Sequence, residues 1–205
     1  LYANIDDFDA SRYTLDRATM TVMDRWLLSR LNTLIATVDG HLENYRIPEA
    51  ARALQEFVDE MSNWYVRRNR ERFWSQELTQ DKVGAYLTLY TALVTVSKVA
   101  APMIPFMCED IYRNLVCSVD SAAPESVHLC DYPVCDASFV DEELEREMES
   151  VLEIVTLGRA ARNTANRKNR QPLAAVYVRA DRKIPASFQE IVREELNVKE
   201  FRYVE

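Results

Sequence analysis

Four arginines, Arg67, Arg68, Arg70 and Arg72, interleave with Trp64, Tyr65, Phe73 and Trp74 within the single stretch Asn63–Trp74. That mixture suits a nucleic-acid contact, with cations for phosphates and rings for stacked bases. Behind it, Leu54, Phe57, Val58, Met61, Trp64 and Tyr65 recur at the spacing of one buried helical face. At about 100° per residue, Arg68 and Arg72 continue that face, whereas Arg67, Arg70 and Trp74 point elsewhere. Burying an unpaired guanidinium is costly. The helix is therefore expected to run past its core and to meet acidic partners, another domain or phosphates at its tip. A charged helix end whose aromatics cover the core explains the same residues without any ligand.

A second cationic stretch, residues 159–180, contains Arg159, Arg162, Arg167, Lys168, Arg170 and Arg179 and no acid. Just before it, residues 131–153 hold nine acids and one arginine. The net charge of −8 thus hides a strong segregation. Segregated basic patches bind anions even on an acidic protein.

Other chemistry finds no support. With only 3 Gly, the chain cannot build a glycine-rich phosphate loop. Cys108, Cys117, Cys130 and Cys135 form no C-x-x-C pair, and His41 and His128 are the only histidines, so no zinc site is expected. Reduced cysteines suit a cytoplasmic protein. No Ser, Cys or Lys has a credible triad, and the acids at 141–149 read as a solvated helix start. The residues point to a binding domain and name no catalytic group. No uninterrupted apolar run reaches the roughly 18 residues of a membrane span. The first residue is Leu, not Met, which suggests a piece of a longer protein.

The elements that must position these residues are mainly helical. Residues 1–20 form an irregular opening segment. Residues 21–117 form an antiparallel four-helix bundle, with helices over about 22–44, 48–75, 81–100 and 105–117. Thr21 or Asp24 caps the first helix, Thr79 or Asp81 the third, and Pro48 and Pro105 pre-set the first turns of the second and fourth. Short connections make neighbours antiparallel, so the arginine tip, the 75–81 turn and Asp24 share one end. Asp24 is a natural salt-bridge partner there. Residues 118–141 form a linker crossing the bundle, with Val127-His128-Leu129 extended. Residues 142–205 give a long helix to about 166, acidic first and basic last, which complements the helix dipole. A small α+β cap of strand, helix and strand then follows. The fold class is mainly α, a four-helix bundle followed by this small α+β subdomain.

The quoted residues also resemble a family. Asp24-Arg25-Trp26-Leu27-Leu28-Ser29-Arg30-Leu31-Asn32 is similar to the D-R-W-[IL]-L-S-R-L-N opening of isoleucyl-tRNA synthetases. Ala50 to Asp59, then Met61 to Arg68, resembles their next helix. Ala101-Pro102 through Pro105-Phe106, with Glu109 and Tyr112, resembles the A-P-x-x-P-F-x-x-E-x-x-Y element shared by several class I synthetases. Ser126 to Leu129, Arg159 to Asn163, Arg170-Gln171-Pro172-Leu173 and Glu195 to Lys199 extend the likeness over almost the whole chain. Asn169 departs from it, standing where members usually carry an apolar residue. The proline element alone leaves leucine, valine and methionine enzymes open; the combination favours isoleucine.

The resemblance implies an anticodon-binding domain and the start of a C-terminal region, with tRNA(Ile) as partner. Catalytic and editing domains would lie upstream in the same chain, and neither HIGH nor KMSKS occurs here. ATP with magnesium would serve the parent enzyme, zinc could occur elsewhere in it, and relatives commonly act as monomers. Trp74 would then stack near the anticodon. Arg70 and Arg72 would meet the loop, with Arg67 and Arg68 either joining them or bracing the bundle. Arg162, Arg167, Lys168 and Arg170 would contact the tRNA backbone. A helical protein-interaction module, docking through the tip and the acidic run, is the alternative.

Overall fold

In the computed structural model, residues 2–204 are described, and they divide into two compact units, Leu1–Val140 and Asp141–Glu205. The first unit opens with α1 (Tyr2–Ile5) and two 3-10 turns, each started by an aspartate (Asp9, Asp16) that accepts from a backbone amide two residues on. α2 follows (Val22–Glu43), and Thr21 and Asp24 share its cap. The Thr21 hydroxyl accepts from the Asp24 amide, and the Asp24 carboxylate accepts from the Thr21 amide. Reciprocal capping of this kind satisfies two otherwise orphaned donors. Trp26, Leu27, Leu28, Leu31 and Val38 on α2 are all but sealed from solvent.

The second expected helix is not continuous. α3 (Ile47–Glu60) opens on Pro48 and passes into a wide π-helical turn, Met61–Val66. The chain then breaks at Asn69 and resumes as the short α4 (Arg70–Trp74). The buried positions are Phe57, Met61, Tyr65, Asn69 and Phe73, a run of steps of four. Steps of four overshoot a full turn of α-helix by about 40°. The wide turn takes up that drift and keeps all five on one side. Val58, expected in the core, is instead 40% exposed.

α5 (Gln80–Ala100) is capped by Thr79, and α6 (Pro105–Tyr112) continues through a π turn, Arg113–Cys117. Among the described residues α5 alone is long and apolar enough to cross a membrane, by length and composition; half of that window is buried inside the protein. Residues 118–140 belong to this first unit and strap across it. Glu109 on α6 accepts from the Ser126 hydroxyl (2.8 Å) and the Val127 amide (3.0 Å), and Asn32 on α2 accepts from the Asp136 amide (2.9 Å). Val127–Leu129 is a 3-10 turn, not extended, because the Ser126 side chain caps it.

The second unit begins with α7 (Glu142–Thr164), capped by Asp141. It continues through β1 (Leu173–Val178), α8 (Ala186–Leu196) and β2 (Val198–Tyr203). The strands pair in parallel, from Leu173 opposite Val198 to Val178 opposite Tyr203. Parallel neighbours need a crossover, and α8 supplies it. Met148, Val151 and Val155 of α7 and Val192 of α8 have no exposed surface. Gly158 lets the two helices meet closely, since a Cβ there would stand 2.5 Å from a Leu196 methyl.

Candidate nucleic-acid interface

The tip of the first unit sorts its cations into two kinds. Arg72 is turned inward. Its guanidinium donates to both Asp24 oxygens (2.9 and 3.0 Å), to the Asn69 side chain (2.9 Å), to the Asp81 carboxylate (3.0 Å) and to the Asp81 carbonyl (2.9 Å). The Tyr65 hydroxyl adds a 2.5 Å bond to Asp24. Asp24 itself is 1% exposed. Burial alone would push its carboxyl upward, yet the bonds from Arg72, Tyr65 and Thr21 hold it below the usual carboxylate range. Tyr65 moves the other way: burial and the adjacent Asp24 charge raise its phenol well above normal, so it stays a donor. One knot therefore ties the start of α2, the π turn, α4 and the start of α5.

This geometry corrects the expectation that Arg72 meets the anticodon loop, because every guanidinium nitrogen is committed inside the protein. The anticipated Asp24 partnership is the reason. Arg70 and Trp74 stand on the opposite side of α4. Trp74 is 52% exposed, and the exposed Arg70 guanidinium lies 5.3 Å from its ring centre. Arg67 is exposed as well, with its Nε bonded to the Asn63 carbonyl and its guanidinium 5.8 Å from the Trp64 ring centre. Arg68 is half-buried.

Beside Trp74 opens a cavity of about 540 Å³, lined by Phe8, Arg70, Phe73, Trp74, Tyr86 and Tyr90 among others. Its far wall is the opening segment. Asp6 accepts from Lys82 (2.5 Å) and Tyr86 (2.6 Å), and Phe8 packs on Tyr86 with ring centres 5.0 Å apart. Sequence reasoning missed Phe8, Tyr86 and Tyr90 as neighbours of the tip. The available signal was an apolar Phe8 directly after the polar Asp6-Asp7 pair, in a segment read only as irregular.

The second cationic stretch also divides. Arg162 is 5% exposed. Its guanidinium donates to the backbone carbonyls of Lys168 (3.1 Å), Gln171 (3.0 Å), Leu196 and Asn197 (3.2 Å). It is a brace, and its expected backbone contact with tRNA is corrected. Arg159 pairs with Glu195 at 2.5 Å. Arg167, Lys168 and Arg170 are exposed, and they lie on the loop after α7, not on the helix. Asn166, at a φ of 53°, turns the chain out of α7 two residues after its last turn.

The three glycines, Gly40, Gly84 and Gly158, all lie inside helices. Among the described residues, no three His, Cys, Asp or Glu converge as metal ligands. What the surface offers is a basic, aromatic, partly open helix end on a helical bundle.

Residues 24–178 match the family described as the anticodon-binding domain of tRNA ligase, and the chain belongs to that family. Over 99% of its length it is 56% identical to an isoleucine–tRNA ligase of Clostridium novyi, and over 98% it is 52% identical to one of Clostridium tetani. An isoleucine–tRNA ligase of Porphyromonas gingivalis is 44% identical across the whole chain. The chain spans about a fifth of the length of these relatives, 19% for both clostridial proteins.

Proposed function

We propose that this domain holds the anticodon arm of tRNA(Ile) for an isoleucine–tRNA ligase whose catalytic and editing parts, with their ATP and magnesium, precede it in a longer polypeptide. The observation that carries this reading is the pairing of half-open Trp74 with Arg70 at the tip. The ring offers a face for an unstacked base, and the guanidinium meets a phosphate or base edge beside it. Arg67 extends the basic rim. Arg68 and Arg72 hold the helix end in place. Stacking on an aromatic is worth about 1–3 kcal/mol by alanine substitution. In the full-length enzyme, Trp74→Ala is expected to reduce discrimination against a changed anticodon roughly 5- to 150-fold, with Trp74→Phe largely retaining it. Unchanged aminoacylation efficiency and unchanged anticodon preference in Trp74→Ala would reject the reading.

Arg167, Lys168 and Arg170 on the second unit's loop supply backbone phosphate contacts in this proposal. Replacing Arg167 and Lys168 with Gln lowers the slope of log affinity against log salt by on the order of one per lost contact. A slope identical to the parent's excludes them. The rival protein-docking module is separated by titrating the full enzyme with cognate and anticodon-changed tRNA, since it predicts the same response to both.

A further inference from the structure

Trp74 stands on a helix that cannot hold itself. α4 is 5 residues long and follows the break at Asn69, and so short a helix has no stability in isolation. The direction of the Trp74 ring is therefore set by what grips the chain on either side of it. On one side, the buried Phe73 ring stacks on Tyr86 of α5, with ring centres 5.6 Å apart. On the other, the chain leaves α4 at Ser75, whose ψ of 144° turns it away from the helix. The Ser75 carbonyl accepts a 2.7 Å bond from the Lys82 ammonium.

Lys82 is 2% exposed. Its ammonium also meets Asp6 of the opening segment at 2.5 Å and lies 5.6 Å from the Tyr86 ring centre. Asp6 accepts in turn from the Tyr86 hydroxyl (2.6 Å), and the bonds from Lys82 and Tyr86 hold its carboxyl below the ordinary range. One ammonium thus joins the exit of α4, the start of α5 and the opening segment. Through Tyr86 it also borders the ring that grips Phe73, so both sequence neighbours of Trp74 are tied to one centre. A buried ion pair is commonly no more stabilising than well-packed apolar side chains of similar volume. A methionine would fill the space, but it would leave the Ser75 carbonyl without this donor and Asp6 without its cation. What lysine adds is a fixed exit for α4. The Arg72 knot does not supply it, because its bonds run to Asp24, Asn69 and Asp81, on the side of α4 away from Trp74.

We propose that Lys82 is a positioning residue for anticodon recognition, aiming the Trp74 ring by tying the end of α4 to Asp6 of the opening segment. This rests on the anticodon reading of Trp74. Plain bracing would act in any background, whereas an aiming role needs the Trp74 ring to be present.

The test uses the full-length enzyme with Lys82→Met, Trp74→Ala and the double variant. Lys82→Met is expected to lower the ratio of kcat/KM between cognate and anticodon-changed tRNA about fivefold, as misplacing a contact does, and by no more than losing the ring itself. In the Trp74→Ala background the same change moves the ratio by less than about twofold, because residues acting through one contact are not additive. Hydrogen exchange quickens at residues 73–79 in Lys82→Met and stays at the parent's level in α2. An unchanged ratio in Lys82→Met, or a loss of the same size persisting beside Trp74→Ala, overturns the proposal. So does unaltered exchange at residues 73–79, whatever the tRNA assays return. If exchange in α2 quickens too, the bundle itself has loosened. Asp6→Asn, which keeps an oxygen for the ammonium, then decides by the same ratio, alone and beside Trp74→Ala. An unchanged ratio in Trp74→Ala alone marks the failure of the anticodon reading instead, and takes the recognition role of Lys82 with it.

Discussion

Arg72→Met is expected to destabilise the first unit by about 3 kcal/mol, because removing one member of a buried ion pair strands the other. Asp24 is the stranded group, at 1% exposure. Its other bonds, from Tyr65 and Thr21, do not replace a guanidinium that contacts both carboxylate oxygens. Urea denaturation of the 205-residue chain, followed by helix signal, measures the loss. The pH dependence carries the sign. In the parent, the Asp24 carboxyl is depressed on folding, so its contribution is present above the unfolded carboxylate range and fades as pH falls through the lower folded value. In the variant, burial dominates and raises that carboxyl. The deficit is therefore largest near neutrality and shrinks on acidification. A deficit that is constant from pH 7 to pH 4 would show that Asp24 is not the group involved. A cycle with Asp24→Asn is expected to return a coupling of about 2 kcal/mol, within the range for directly bonded partners.

Arg162→Ala is expected to cost the second unit about 2–4 kcal/mol, since a buried charged donor serving four carbonyls is lost and those acceptors are left short of partners. The carbonyls belong to the loop after α7 and to the junction of α8 with β2. Hydrogen exchange should therefore accelerate first at α8 and β2 and leave α2 and α5 unaffected. Arg162→Lys does not rescue the loss, because an ammonium cannot spread donors across the span of a guanidinium. An unaltered exchange pattern in Arg162→Ala would mean that the four bonds contribute no net stability.

The positions of the helices were legible because apolar periodicity and caps agree along this chain. Thr21, Thr79, Asp141, Pro48 and Pro105 each sit where an element starts. The parallel pairing of β1 and β2 was not specified by the strand patterns alone; it follows from the helix between them. Within the candidate site, the division of arginines was half legible. The periodic face correctly separated Arg72 from Arg70 and Trp74, and antiparallel packing brought Asp24 to the same end. Assigning Arg72 to RNA failed because a guanidinium on a core face takes a carboxylate when one is in reach. Arg162 failed for another reason. Its partners are backbone carbonyls, which no side-chain pattern advertises. The π turn at Met61–Val66 was invisible to a fixed step of 100°, and so was the exposure of Val58 that accompanies it.

That wide turn has a mechanical corollary. It acts as a phase shifter between the anchored body of α3 and the short α4, setting the compass bearing at which Trp74 leaves the bundle. Winding those six residues as ordinary α-helix, with no change in length, would swing the tip by roughly 100° while leaving Leu54 and Phe57 in place. Arg72 would leave its carboxylate and Trp74 would rotate toward the space that Arg72 vacates. Rotation of that size would take the working end of the bundle off its carboxylate anchor and carry its aromatic edge part of the way round toward the core.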